Sequence, residues 1–244
     1  MSASSRSDSS PWRRQAARLL GELEPRAEPA RRLRQAAEAL LGAPYARAPL
    51  GGGPGQPERL SLRLDAFDCV TLVESCLALA RSATPAAFRR ELSLARYREG
   101  RIAWASRLHY FSDWLRWNRR RGALGGCLGG PGARSLEVRL ALVPGLPARR
   151  TRLVLVPRRA LAGYSPRMAP ALVVAFASLR RGLDFFHVGL LFGDSPAQPA
   201  ATRTLIHAAL SRGGVVAEPL GEFLGRNRTR GLALAGLTAK GEMG

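Results

Sequence analysis

The chain predicts an α+β fold in which helices in the N-terminal half pack on a mainly antiparallel sheet. Two observations carry that prediction. Helical periodicity dominates from about residue 28 to residue 121, and strand-like segments dominate from residue 135 onward. The strand segments also follow one another without the long helical crossovers that a parallel sheet needs. The chain has 244 residues, 46% of them hydrophobic. That suffices for one sizeable core and excludes a mainly disordered chain.

The elements follow in order. Residues 1–10 are Ser-rich and polar and read as disordered, with a short amphipathic helix near Ala16–Leu23. Residues 1–28 therefore read as an extension, and 29–239 as a single domain. Glu28–Leu41 carries a helical apolar stripe stopped by Gly42 and Pro44. Leu50–Pro57 reads as a flexible loop and Arg59–Leu64 as a short extended segment. Cys69–Ala80 is a strong helix opened by Asp68. Thr84-Pro85 is an N-cap followed by proline at the first helical position, starting a helix to about Arg98. Asp113–Arg121 is a further helix, ended by Gly122, and Gly122–Gly132 reads as a glycine-rich loop. Strand candidates are Leu136–Val143, Arg152–Val156, Leu172–Ala177, Val188–Phe192, Leu205–Ala209 and Leu232–Leu237, with a helix at Leu220–Arg226.

Composition bounds the function. Net charge is +20, from 38 Lys+Arg against 18 Asp+Glu. Lys240 is the only lysine, so 37 of those cations are arginine. The arginines reflect either a codon bias or an anionic partner; their dispersal in pairs and triplets describes a generally basic surface, not a specific nucleic-acid site. The longest mainly apolar stretch, Ala169–Leu179, is far short of the roughly 20 residues that cross a bilayer. Three cysteines are too few for a disulfide scaffold. No export leader is legible: Asp8, Pro11, Arg13 and Arg14 stand where about 7–15 apolar residues would be needed.

The residues that bear chemistry are few. Cys69 opens a predicted helix, where free N–H groups and the helix dipole stabilise a thiolate, lower the thiol pKa and can hold an oxyanion. Cys76 sits mid-helix among Leu and Ala and reads as core, and Cys127 carries no assigned role. Of the three histidines, His187 and His207 bracket a turn-rich segment, Gly193–Arg203. A hairpin centred near residue 198 has an index sum of about 396, which sets His187 opposite a residue near 209. Diagonal cross-strand neighbours lie about 7–8 Å apart, so the imidazoles fall within reach of each other. A helix-start thiol with two histidines on a hairpin is the minimum for a thiol hydrolase. The same residues lack the close ligand pairs of a zinc site, so no metal or other cofactor is expected.

Four motifs in order resemble a known superfamily. They are Leu40-Leu41-Gly42-Ala43-Pro44-Tyr45, Phe67-Asp68-Cys69, His187-Val188-Gly189 and Leu205-Ile206-His207-Ala208. Together they resemble the NlpC-type papain-like cell-wall cysteine hydrolases. Phe67–Glu74, Arg107–Trp114 and Gly182-Leu183-Asp184 are similar to the N-acetylmuramoyl-L-alanine amidase-like branch. The resemblance spans roughly residues 30–237. It implies a papain-like fold, and it assigns Cys69 as nucleophile, His187 as general base and His207 as the residue that orients the base. It also implies that Tyr45 and Asp68 shape the substrate pocket, and that Arg107, Tyr110 and Asp113 belong either to glycan recognition or to a buried turn seating Trp114. Phe186, where a small polar residue is expected, and Pro170-Ala171, where Gly-Asp is expected, depart from the pattern.

What the resemblance implies is hydrolysis of the N-acetylmuramoyl–L-alanine amide of peptidoglycan fragments by a monomer, without metal. Anionic envelope polymers are further candidate partners. The alternatives are a γ-D-glutamyl–diaminopimelate endopeptidase and a non-catalytic envelope- or glycan-binding module. A cell-envelope location follows from the resemblance, and a cytoplasmic one from the missing leader.

Overall fold

The computed structural model describes residues 10–127, 129, 132–164, 168–195 and 197–238. Apart from Ser10, the segment expected to be disordered lies outside the described residues. So do Leu128, Gly130 and Pro131 of the glycine-rich loop. Five helices come first: α1 (Pro11–Glu22), α2 (Pro29–Glu38), α3 (Cys69–Ala80), α4 (Pro85–Arg96) and α5 (Phe111–Arg120). Then come β1 (Leu124–Cys127), β2 (Arg134–Leu140), β3 (Arg149–Leu155), the short α6 (Leu161–Tyr164), β4 (Ala171–Ala177), β5 (Phe185–Phe192), β6 (Thr204–Ala209), β7 (Gly214–Pro219), α7 (Leu220–Arg226) and β8 (Leu232–Leu237). The α+β class with a mostly antiparallel sheet is what the sequence predicts.

β1, β8, β4, β5, β6 and β7 form one sheet in that order, and all the pairings are antiparallel. β2 and β3 form a separate hairpin. Side chains alternate across the large sheet with period two. Val173, Ala175, Val188, Leu190, Ile206 and Ala208 face the helices and share one core with Leu72, Cys76 and Leu77 of α3. Val174, Phe176, Leu191, Leu205 and Leu234 face the other way, onto α6 and onto Leu220, Phe223 and Leu224 of α7. No helix among the described residues is long and apolar enough to cross a membrane.

α3 is the hub. Ten of its twelve residues, Thr71–Ala80, are buried, because α2, α4 and the sheet enclose it. A helix enclosed on all sides needs no polar face, which explains its apolar sequence. Its start is fixed by a reciprocal cap: Asp68 Oδ1 accepts the Thr71 N–H at 2.7 Å, and the Thr71 hydroxyl oxygen accepts the Asp68 N–H at 3.0 Å. Such a cap contributes about 1 kcal/mol and defines where residue 69 sits. α1 buries Ala16 and Leu19, and Leu23 just after it, in this same core, so the N-terminal helix shares the packing of the segment that follows it.

Two strands differ from the sequence reading. β1 lies inside the stretch read as glycine-rich loop; Gly125 and Gly126 pair there as an edge, beside β8. β7 also went unread, because Gly213-Gly214 and Pro219 flank it closely and resemble turn punctuation. Gly213, at φ +71°, makes the turn that pairs β7 with β6.

Candidate active site

The hairpin that carries the histidines has the register the sequence predicts: Leu190 pairs with Ile206 and Leu191 with Leu205, the index sum of 396. His187 and His207 therefore project from the same face as Phe176, the direct partner of His187 across β4 and β5. Their rings meet at right angles with centroids 4.8 Å apart. Phe223 of α7 stacks on His187 at 5.2 Å and meets His207 edge-on at 5.2 Å.

A directed hydrogen-bond chain fixes the ring tautomers. His207 Nε2 lies 2.9 Å from Glu218 Oε1, and a carboxylate only accepts, so this nitrogen carries the proton. In neutral His207 the other nitrogen, Nδ1, is then a bare acceptor. It lies 2.7 Å from His187 Nε2, which must donate. His187 is left with an unprotonated Nδ1, the lone pair a general base needs. Glu218 is anchored in turn by the Arg226 guanidinium. It comes from β7, the strand the sequence reading missed. The available signal was positional: a tight turn at Gly213 pairs Glu218 with Leu205, two residues from His207 and on the same face.

Cys69 stands at the capped start of α3, partly buried. The backbone N–H groups of Val188, Cys69 and Val70 surround its sulfur and favour the thiolate. The sulfur therefore faces the peptide that directly follows His187. Tyr45 is joined to this corner by a parallel bridge to Phe67, and burial beside Cys69 and Asp68 raises its phenol pKa. Tyr45, Asp68 and Cys69 are thus brought to one corner on the helix side of the sheet, beside the Val188 peptide. His187 and His207 share the opposite face with Phe176 and Phe223, and the chain joins the two groups at the His187-Val188 step.

The electrostatics correct one expectation. The helix start was expected to lower the thiol pKa; instead burial, and then the Asp68 carboxylate, push Cys69 up to about 12. The three N–H donors oppose the shift without overcoming it. Burial lowers His187 to about 3, with the neighbouring His207 adding to the effect. Burial also lowers His207, against the pull of Glu218. The resting pair is therefore neutral thiol and neutral imidazole. Cys76 is fully buried, its thiol raised by burial alone, in keeping with a core residue.

A 400 Å³ cavity opens on the imidazoles, between Phe186, Leu210, Arg212, Phe223 and Arg226. Phe186 and Leu210 are exposed at its rim. The remaining residues singled out in the sequence lie elsewhere. Arg107 pairs with the buried Glu58 at 3.4 Å, donates to the Gly51 carbonyl at 3.0 Å and covers the Trp104 ring. The Tyr110 hydroxyl accepts the Leu142 N–H at 2.7 Å, and Asp113 pairs with Arg116 and Arg149. These three tie the segment after β2, the β2–β3 hairpin and the Gly51 loop to the helices. Among the described residues, no group of three or more His, Cys, Asp and Glu side chains is arranged to hold a metal ion.

Residues 35–125, which include Tyr45, Asp68 and Cys69, match the model of a family described as N-acetylmuramoyl-L-alanine amidase-like. Among solved structures, an N-acetylmuramoyl-L-alanine amidase from Bacteroides uniformis superposes with a TM-score of 0.74 at 24% identity, covering 86% of this chain and 99% of its own. A Legionella pneumophila protein of the DUF1460 family superposes at 0.73 with 19% identity, over 93% of each chain. A putative xylanase from Bacteroides fragilis gives 0.70 at 23% identity, over 83% and 99%. At these identities the structures show a shared fold. No curated protein matches the chain in sequence.

Proposed function

We propose that this chain is a papain-like, NlpC-type cysteine hydrolase that cuts the amide between the lactyl group of N-acetylmuramic acid and L-alanine. The observation that supports this most is the junction at Val188. There the sulfur of a capped helix start meets the peptide next to a histidine whose tautomer is already set. The amidase-like family match over residues 35–125 supports the choice of bond.

The chemistry begins from the neutral pair. Cys69 Sγ attacks the amide carbonyl carbon as its proton passes to His187 Nδ1. Backbone N–H groups at the start of α3 hold the oxyanion, each donor worth roughly 3–4 kcal/mol in comparable sites. The resulting imidazolium gives its proton to the leaving amine of L-alanine, and the C–N bond breaks to leave a thioester. His187 then takes a proton from water, which attacks the thioester carbonyl; the C–S bond breaks, the Cys69 thiolate takes the proton back from His187, and the muramoyl carboxyl group is freed. His207 and Glu218 act through His187 as positioning residues. Tyr45 and Asp68 stand beside the sulfur, whereas Arg107, Tyr110 and Asp113 are spent on internal contacts that hold the Gly51 loop and the β2–β3 segments.

The test is digestion of defined muropeptides, read by mass spectrometry, with wild type beside Cys69→Ala. The expected product is the whole stem peptide released from the sugar, by wild type alone. Cleavage within the stem peptide would replace the amidase assignment with an endopeptidase one. Equal activity of both proteins would overturn the thiol mechanism.

A further inference from the structure

Most interior arginines of this protein are spent on internal partners. Arg96 pairs with Glu74, Arg121 with Glu91 and Arg107 with Glu58, while Arg32 caps the carbonyls of Ala80 and Ser82. A second population is arranged differently. Arg139, Arg180 and Arg181 line a cavity of 530 Å³ between β2 and the turn joining β4 to β5. Arg134, Arg158 and Arg159 line a neighbouring cavity of 550 Å³, and Arg230 stands in both.

All seven are exposed, and among the described residues none has a carboxylate within ion-pair distance. The single acidic side chain lining either cavity, Glu137, is engaged by Arg150 at 2.8 Å. Arg230 joins the two cavities, and Arg158 donates to the Leu224 carbonyl at 2.9 Å. Guanidinium groups gathered along them repel one another unless an anion lies between them. Codon bias accounts for arginine over lysine; it does not account for carboxylates missing along one trough.

We propose that this trough binds linear inorganic polyphosphate, a base-free polymer in which phosphates are joined by anhydride links. Concavity favours a thread over a flat membrane surface. The lining contains no aromatic side chain, whereas grooves for single-stranded nucleic acid combine charge with rings on which bases stack. The guanidinium fork matches phosphate oxygens two at a time. The trough also adjoins the turn that leads into β5, the strand carrying His187, so a polymer held there lies beside the strand of the proposed base. Binding does not depend on hydrolysis, so this inference stands or falls apart from the amidase reading.

The test is fluorescence anisotropy with end-labelled long-chain inorganic polyphosphate and the full chain. Affinity should fall on the order of a hundredfold between about 50 and 200 mM salt. Arg181→Gln/Arg230→Gln should weaken binding about tenfold or more, with an unchanged melting temperature. Arg89→Gln/Arg98→Gln removes the same charge from exposed positions that line neither cavity, and it should change binding less than about twofold. Equal losses in both double variants would overturn the trough in favour of net charge alone. Absence of polyphosphate binding at low salt would overturn it, as would equal or tighter binding of single-stranded DNA, duplex DNA or anionic vesicles.

Discussion

The two faces of the six-stranded sheet divide the work differently. On the helix side, β5 presents Val188 and Leu190 to an apolar core, and Cys69 sits there at a capped helix start with main-chain N–H groups around its sulfur. On the other side, β5 presents His187 to a relay of side chains, His207, Glu218 and Arg226, floored by Phe223 and open to a cavity. The proposed nucleophile is thus placed by backbone and the proposed base by side chains. Backbone placement is rigid and tolerates neighbouring substitutions; a side-chain relay degrades stepwise as its members are removed.

That contrast predicts an asymmetric mutational response. Cys69→Ala should abolish turnover on muropeptides, a loss of about 10⁴-fold or more, with the fold unchanged because the cap on Asp68 and Thr71 remains. Retained activity in that variant would show that the helix side contributes structure alone. On the relay side, losses should be graded. His187→Ala should cost about 10³-fold in kcat, His207→Ala about 10²-fold, and Glu218→Gln about tenfold, since each acts one hydrogen bond further from the reacting atoms. If the three variants lose activity equally, the relay is a single cooperative unit and the stepwise picture fails.

The neutral resting pair sharpens the comparison through pH. Both imidazoles are held below the free histidine value of 6.5, His187 at about 3, so the unfolded chain binds protons there that the folded one does not. Stability from these groups is fully present above about pH 6.5 and is lost progressively as pH falls towards 3. Thermal melts should show a declining melting temperature over that window, and His187→Gln/His207→Gln should flatten the decline. An identical decline in the double variant would assign the acid sensitivity to carboxylates.

Legibility from sequence follows the same division. α3 was readable to the residue, because a capping residue and an unbroken apolar run coincide at Cys69–Ala80. The β5–β6 register was readable because the turn between the strands is long and polar while the strands are not. Glu218 was not readable, because β7 is short and bounded by Gly213-Gly214 and Pro219, so local turn signals outweighed its pairing with β6. The thiol pKa was misjudged for a different reason. Helix-start donors are visible in sequence, whereas the burial that opposes them depends on the packing of β5 against α3.

The smallest expected effect isolates that opposition. Asp68 does two things at once: its Oδ1 caps α3, and its charge raises the Cys69 thiol pKa. Asn caps a helix about as well as Asp, so Asp68→Asn should change stability by less than about 1 kcal/mol. Removing the charge should lower the thiol pKa and speed iodoacetamide alkylation of Cys69 at neutral pH by a modest factor, on the order of a few-fold. In wild type the rate should climb steadily with pH, as expected of a neutral thiol, without the acidic plateau of a thiolate–imidazolium pair. Faster alkylation in Asp68→Asn at an unchanged melting temperature would separate the charge of the cap from its hydrogen bond. An unchanged rate would leave burial as the sole cause of the raised thiol pKa, and the helix side would then be tuned entirely by packing.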